Sequence, residues 1–253
     1  MSVAAVASAV TIAPYPPYQV RSDGVPAGQV QKRSGSSNTS SKAVLHVTDI
    51  FGLPLLQNKL LADSFAANGY LVVMPDLFGG DAVSVEEQEA GLRVKSVCTN
   101  MMGKWFTQHP PAKIDTIIHT TISYMRQELG VSKIAGLGTC FGGKYVPRFL
   151  TPTGGIDVGF IAHPSNLVEA EIRAIGTTKA ISIAAGTLDA SFNATAKAQA
   201  ERILSAKNVT FQTNTYAGAP HGFAVRVDQN VPQQAYAKQA SFVQAVTWFN
   251  AWL

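Results

Sequence analysis

The chain has 253 residues, 46% of them apolar and 14% charged, with a formal net charge of +4. An average globular domain carries about 25% charged residues, so this composition excludes a disordered chain and requires a large buried core. The basic residues are scattered, Lys32-Arg33 is their only adjacent pair, and no aromatic-interleaved basic stripe exists, which argues against a nucleic-acid partner.

No fully apolar run approaches the ~18–20 residues of a membrane span, so no membrane partner is expected. Val3 to Ala13 is a small-residue apolar stretch long enough for the core of an export signal. It lacks the basic start such a signal uses, since the first charge is Arg21. The two cysteines, Cys98 and Cys140, cannot build a disulfide framework and form no C-x-x-C pair, so a reducing, cytoplasmic setting is expected. The triplets at Asn38, Asn193 and Asn208 then carry no glycan.

Residues 31–42 (QKRSGSSNTSSK) read as a loop or hairpin connection. Ala43 to Thr48 reads as a buried strand. Leu55 to Ala67 has apolar residues returning at three and four, a helix ended by Asn68-Gly69. Tyr70 to Met74 is the next strand, stopped by Pro75-Asp76. Residues 84–107 are helical in period but interrupted by Gly91 and Gly103, and Pro111 to Leu129 is a helix with Pro in its first turn. Strand Lys133–Thr139, helix Gly142–Leu150, strand Val158–Ala162, helix Leu167–Ile175 and strand Ala180–Ala185 follow. Helix Ala194–Ala206, strand Thr210–Tyr216 and a helix from about Val231 to Leu253 complete the chain. Strands alternating with helices predict an α/β fold: a mostly parallel central sheet with helices on both faces. One domain over 1–253 is expected, with N-terminal strands and loop over 1–42 and a lid-like helical segment over 84–110.

The most informative stretch is Gly138-Thr139-Cys140-Phe141-Gly142-Gly143, a G-x-C-x-G between a strand and a helix. It is the cysteine form of the nucleophile elbow. That sharp turn needs small residues two before and two after the nucleophile. The helix N-terminus beneath Cys140 favours negative charge, and the N–H of Phe141 would face a developing oxyanion. On such a fold the partners follow in the order nucleophile, acid, histidine. Of five histidines only His163 and His221 lie beyond Cys140. His221 sits in a Gly/Pro-rich loop after a strand. Asp189 is the only acid between His163 and His221 that follows a strand end. Cys140, Asp189 and His221 therefore form a predicted triad along one sheet edge. Neither metal-ligand spacing such as H-E-x-x-H nor a phosphate loop is present, so no metal and no cofactor is expected.

These elements resemble the dienelactone hydrolase family of the α/β-hydrolase superfamily, over roughly residues 40–250. The resemblance rests on Asp49-Ile50-Phe51-Gly52, Met74-Pro75-Asp76-Leu77-Phe78, the G-x-C-x-G-G elbow, Asp189 and His221-Gly222-Phe223. The stretch Ala162-His163-Pro164-Ser165 is similar to fungal and yeast members. It implies that Ile50 gives the second oxyanion N–H. It also places Asp49 where the family has a Glu that holds the thiol; the alternative for Asp49 is a loop cap. The founding members clamp a substrate carboxylate with two arginines. Here one is absent from Leu77-Phe78-Gly79-Gly80-Asp81. The other is displaced to Arg226, which either reaches an anion or lies at the surface.

The segment 84–107 brings Val94, Val97, Met101, Met102, Trp105 and Phe106 over the strand ends, as packing or as an apolar pocket wall. Asp49, Phe51, Trp105, His163, Phe223 and Arg226 are the candidate substrate-binding residues. The expected activity is hydrolysis of an ester, lactone or thioester of a small organic acid or acyl chain, which can be carrier-bound. Polyketide thioester release with lactone closure and a non-catalytic binding protein on the same fold are the alternatives.

Overall fold

The computed structural model describes residues 31–33, 41–86 and 95–253. The apolar stretch from Val3, the Ser-rich loop with Asn38, Val94, and the side chains of Val97, Cys98 and Met101 lie outside the described residues. The elements are β1 (Gln31–Arg33), β2 (Lys42–Val47), α1 (Leu56–Ala67), β3 (Leu71–Met74), α2 (Lys95–Gln108), α3 (Pro111–Gln127) and β4 (Lys133–Thr139). They continue as α4 (Phe141–Phe149), β5 (Val158–Ala162), α5 (Glu169–Ala174), β6 (Ala180–Leu188), α6 (Ala194–Ala206), β7 (Thr210–Pro220) and α7 (Pro232–Trp252).

The sheet runs β1-β3-β2-β4-β5-β6-β7. Strands β2 to β7 are parallel, and β1 joins β3 antiparallel with Gln31 opposite Met74. β1, at the start of the stretch whose sequence reads as a loop or hairpin connection, is a short polar edge strand. The central strands are buried along their length, as expected for a parallel sheet covered on both faces.

Glycine alternation on β4 decides how closely the elbow helix approaches. A Cβ on Gly136 would meet Val146 at 3.0 Å, and one on Gly138 would meet Val146 at 2.8 Å and the carbonyl of Gly142 at 2.6 Å. Helix α4 therefore lies on bare β4 backbone. An aromatic cluster on α1 and α7 joins the strands, with Phe65 5.1 Å from Phe242 and Phe160 6.5 Å from Phe249 between ring centres.

Strands β6 and β7 run on to Leu188 and Pro220, past the ends suggested by the alternation. Their register shifts between Gly186 and Leu188. At Gly186 the carbonyl of Ala219 stands where a Cβ would be, at 2.3 Å. This closure delivers the residues after both strands, Asp189 and His221, side by side.

Candidate active site

Cys140 lies between β4 and α4 with φ 50° and ψ −111°. This is a left-handed, strained conformation for a residue with a side chain, of the kind that costs ~1–3 kcal/mol and is kept where the surroundings fix it. The surroundings do fix it. The N–H of Cys140 donates to the carbonyl of Ala162 (3.1 Å), and its own carbonyl accepts from Gly143 (3.1 Å) and Ser165 (2.9 Å). Gly142 has no room for a side chain: a Cβ would lie 1.9 Å from the carbonyl oxygen of Val47.

The predicted triad comes together. His221 Nε2 lies 3.1 Å from Cys140 Sγ, and His221 Nδ1 is 2.9 Å from Asp189 Oδ1. Asp189 is buried, and the same oxygen accepts the N–H groups of Ser191 (2.8 Å) and Phe192 (3.2 Å). Burial pushes the Asp189 carboxyl up, but the His221 bond and the two N–H donors outweigh it and hold it below its ordinary value. For His221, burial disfavours the charged ring, yet the bonds to Asp189 and to the Cys140 sulfur push its pKa up to about 10. The surroundings therefore favour the charged form of the ring.

His163, the other downstream histidine, is fully buried and leaves both ring nitrogens without a hydrogen-bond partner. Burial, then the nearby His221 charge, pull its pKa down to about 3, so it stays neutral. Its ring centre is 5.2 Å from that of His221 and 5.3 Å from that of Phe223. Phe223 is itself fully buried and packs on Tyr216. These two rings form the wall behind the imidazole.

The N–H of Gly142 donates to the carbonyl of Thr48 (3.0 Å), which sets the loop after β2 against the start of α4. Ile50 and Phe141 lie on the two segments that this contact joins, and among the described residues no acceptor is found for either N–H. Asp49 is buried, and its carboxylate turns into its own loop. Its Oδ1 accepts the N–H of Phe51 (3.1 Å) and the amide of Asn58 (2.9 Å). Burial pushes the Asp49 carboxyl up, against the pull of Asn58, Arg226, Phe51 and His221. The bonds described for Asp49 are those of a loop cap, and none joins it to Cys140.

Arg226 is half-buried, and its guanidinium lies 4.0 Å from the ring centre of Phe51. It is thus held at the site, with its charge felt by Asp49 and His163. Trp105 is buried and donates its indole N–H to the carbonyl of Asp81 (2.7 Å). Its ring packs on Phe78, Phe106, His109 and Phe141, so it reaches the elbow through Phe141.

One residue that sequence reasoning did not single out stands at the centre. Ser165 Oγ is 3.4 Å from Cys140 Sγ and 3.2 Å from His221 Nε2. Its only sequence signal was the stretch Ala162 to Ser165 after β5. Among the described residues no group of His, Cys, Asp and Glu has the arrangement of a metal site. No described helix is long and apolar enough to cross a membrane.

The dienelactone hydrolase family pattern matches residues 31–253. Hydrolase pyvD of Aspergillus violaceofuscus is 43% identical over 215 residues, 85% of this chain and 83% of that protein. Hydrolase tropI of Talaromyces stipitatus is 42% identical over 213 residues, 83% of this chain and 81% of its own. In fold, a dienelactone hydrolase from Anabaena variabilis superposes with a TM-score of 0.59 at 14% identity, covering 90% of this chain and all of that one. With its strained Cys140 elbow and its sheet-edge network, the chain belongs to the dienelactone hydrolase family of α/β-hydrolases.

Proposed function

We propose that this protein hydrolyses an ester, lactone or thioester through a covalent Cys140 acyl-enzyme. The observation that carries this reading is the continuous chain Cys140 Sγ to His221 to Asp189, at 3.1 and 2.9 Å, on a strained elbow. The sulfur attacks the carbonyl carbon and the oxyanion forms between the N–H groups of Ile50 and Phe141. His221 passes its Nε2 proton to the departing alcohol or thiol. The neutral ring then takes a proton from water as that water attacks the acyl carbon, and collapse of the second intermediate expels the sulfur. Asp189 holds the ring by Nδ1 throughout.

For the substrate, we infer an acyl part without a carboxylate to be clamped. Two features support this: the founding family's second arginine has no counterpart at 77–81, and Arg226 is stacked on Phe51 beside the buried Asp49. A buried carboxylate lacking a cation partner costs several kcal/mol. Burial of acyl or ring carbons gains about 0.8 kcal/mol per CH₂. The test compares kcat/KM for a small carboxylated lactone with that for a medium-length neutral ester and acyl thioester, with product analysis. Preference for the neutral substrates with release of free acid supports the reading. Ring closure points to acyl transfer in place of hydrolysis, and absence of turnover to a binding protein. Preference for the carboxylated lactone, lost in Arg226→Ala, overturns the substrate inference.

A further inference from the structure

We propose that Ser165 is a catalytic residue of this site, a hydroxyl donor that serves the sulfur and the imidazole in turn. The proposal rests on the Cys140-centred reading above. Its basis is the triangle in which Ser165 Oγ, Cys140 Sγ and His221 Nε2 lie 3.4, 3.2 and 3.1 Å apart.

The direction of each bond follows from proton counting. A protonated His221 has a hydrogen on Nε2 and can only donate there. The Ser165 hydroxyl then has one acceptor of the two open to its hydrogen, the sulfur. It thus gives the negatively charged sulfur a second donor beside the ring. Once Cys140 is acylated and His221 has handed its proton to the leaving group, Nε2 carries only a lone pair. The same hydroxyl can turn to donate to it. The ring, having lost the sulfur as a partner, stays aimed until the attacking water arrives, takes the place of the hydroxyl at the Nε2 lone pair and gives its proton there. When the sulfur leaves in the last step, the hydroxyl returns to it. No bond to Ser165 is made or broken.

The position of Ser165 is built. Its N–H donates to the Cys140 carbonyl at 2.9 Å, which ties the turn after β5 to the elbow. His163 and Asn166 on either side adopt φ of 39° and 53°, so the turn is wound tightly. Pro164 packs on the elbow helix where Gly143 has no side chain; a Cβ there would meet Pro164 Cβ at 2.7 Å. Gly143, the last glycine of the elbow, thus makes room for the turn that presents Ser165.

The experiment uses Ser165→Ala, Ser165→Thr and Gly143→Ala in the full chain. The pH dependence of iodoacetamide labelling at Cys140 is measured, together with the burst of p-nitrophenolate from p-nitrophenyl butyrate. A donor to a charged partner shifts such a midpoint by about one pH unit, and that midpoint belongs to the Cys140–His221 pair. In Ser165→Ala the midpoint should rise by about one unit. Turnover after the burst should fall about tenfold, because both the sulfur's departure and the ring's aim are weakened. Ser165→Thr, which keeps the hydroxyl, should restore both. Gly143→Ala should resemble Ser165→Ala by moving the turn. A Ser165→Ala protein with the parent's labelling profile and the parent's post-burst rate refutes the proposal. If that occurs while Cys140→Ala is inactive, the hydrolase reading stands alone. If Cys140→Ala still turns over, the hydrolase reading itself falls.

Discussion

Gly142→Ala offers a severe test of how the site is assembled, because the added methyl has nowhere to go. Its carbon would stand 1.9 Å from the Val47 carbonyl oxygen, 2.5 Å from the Val47 carbonyl carbon and 2.9 Å from the Thr48 carbonyl oxygen. All three are backbone atoms, so no side-chain rotation relieves the overlap. The start of α4 has to retreat from β2 by more than about 1 Å, which breaks the bond from the Gly142 N–H to Thr48. Overpacking of this kind costs ~1–3 kcal/mol and the lost bond about 1 kcal/mol more. For a chain of this length the melting temperature should fall by roughly 5–15 °C. The chemistry should suffer further, because Ile50 and Phe141, the two proposed oxyanion donors, lie on the two segments that this contact joins. A misplacement of about 1 Å can cost 10²-fold in rate. The assay is thermal melting with kcat measured on the fully folded variant at 15 °C. A variant that melts with the parent and keeps its kcat refutes the idea that this contact sets the oxyanion donors.

Further outcomes follow from the triad. Cys140→Ala should abolish turnover, and Cys140 should be alkylated faster than Cys98 in the parent; peptide mapping after limited labelling reads this. His221→Ala should lower kcat by roughly 10³–10⁶, whereas His163→Ala should change KM or selectivity more than kcat; the reverse pattern would require a redrawn site. Asp189→Asn should lower kcat by about 10⁴, and it should also lower the melting temperature near neutral pH, because the charged His221 loses its carboxylate partner. The pKa of His221 is raised from 6.5 to about 10, so its charged form stabilises the fold fully below pH 6.5, and that contribution is lost as pH rises through 10. The urea midpoint should therefore decline between pH 7 and 10 in the parent and decline less in His221→Gln; parallel declines would show that another group titrates.

That Cys140, His221 and Asp189 meet was legible in the sequence, because Cys140 and Asp189 follow strands with strong apolar runs and His221 follows β7 in a Gly/Pro-rich stretch. Chain order then left few choices. The same logic placed strands Lys133–Thr139 and Val158–Ala162 and helix Ala194–Ala206 at the bounds they have in the structure. Ser165 was hidden for a physical reason. Its place depends on left-handed conformations at His163 and Asn166, which no glycine announces, and on a hydroxyl type found everywhere on protein surfaces. Strand β1 was hidden because Gln31-Lys32-Arg33 carries no apolar alternation and is held by pairing with β3. Arg226 was left between surface and site because its stacking on Phe51 joins residues far apart in the chain. Asp49 shows the opposite case. The bonds that hold it lie within its own loop and to Asn58, so its capping geometry is a local property that a short stretch of sequence encodes.

The ring cluster of Phe78, Trp105, Phe106 and His109 closes on Phe141, whose N–H is one of the two proposed oxyanion donors. Divergence of the substrate range is constrained by that contact. In a hydrolase whose covering segment and catalytic turn are separate bodies, the segment can be rewritten freely for new acyl groups. Here helix α2 is keyed into the catalytic turn through Trp105, so a mutation on its inner side alters selectivity and rate together. Descendants of this sequence with new substrates should therefore change first at positions that, among the described residues, no ring contact ties to the elbow.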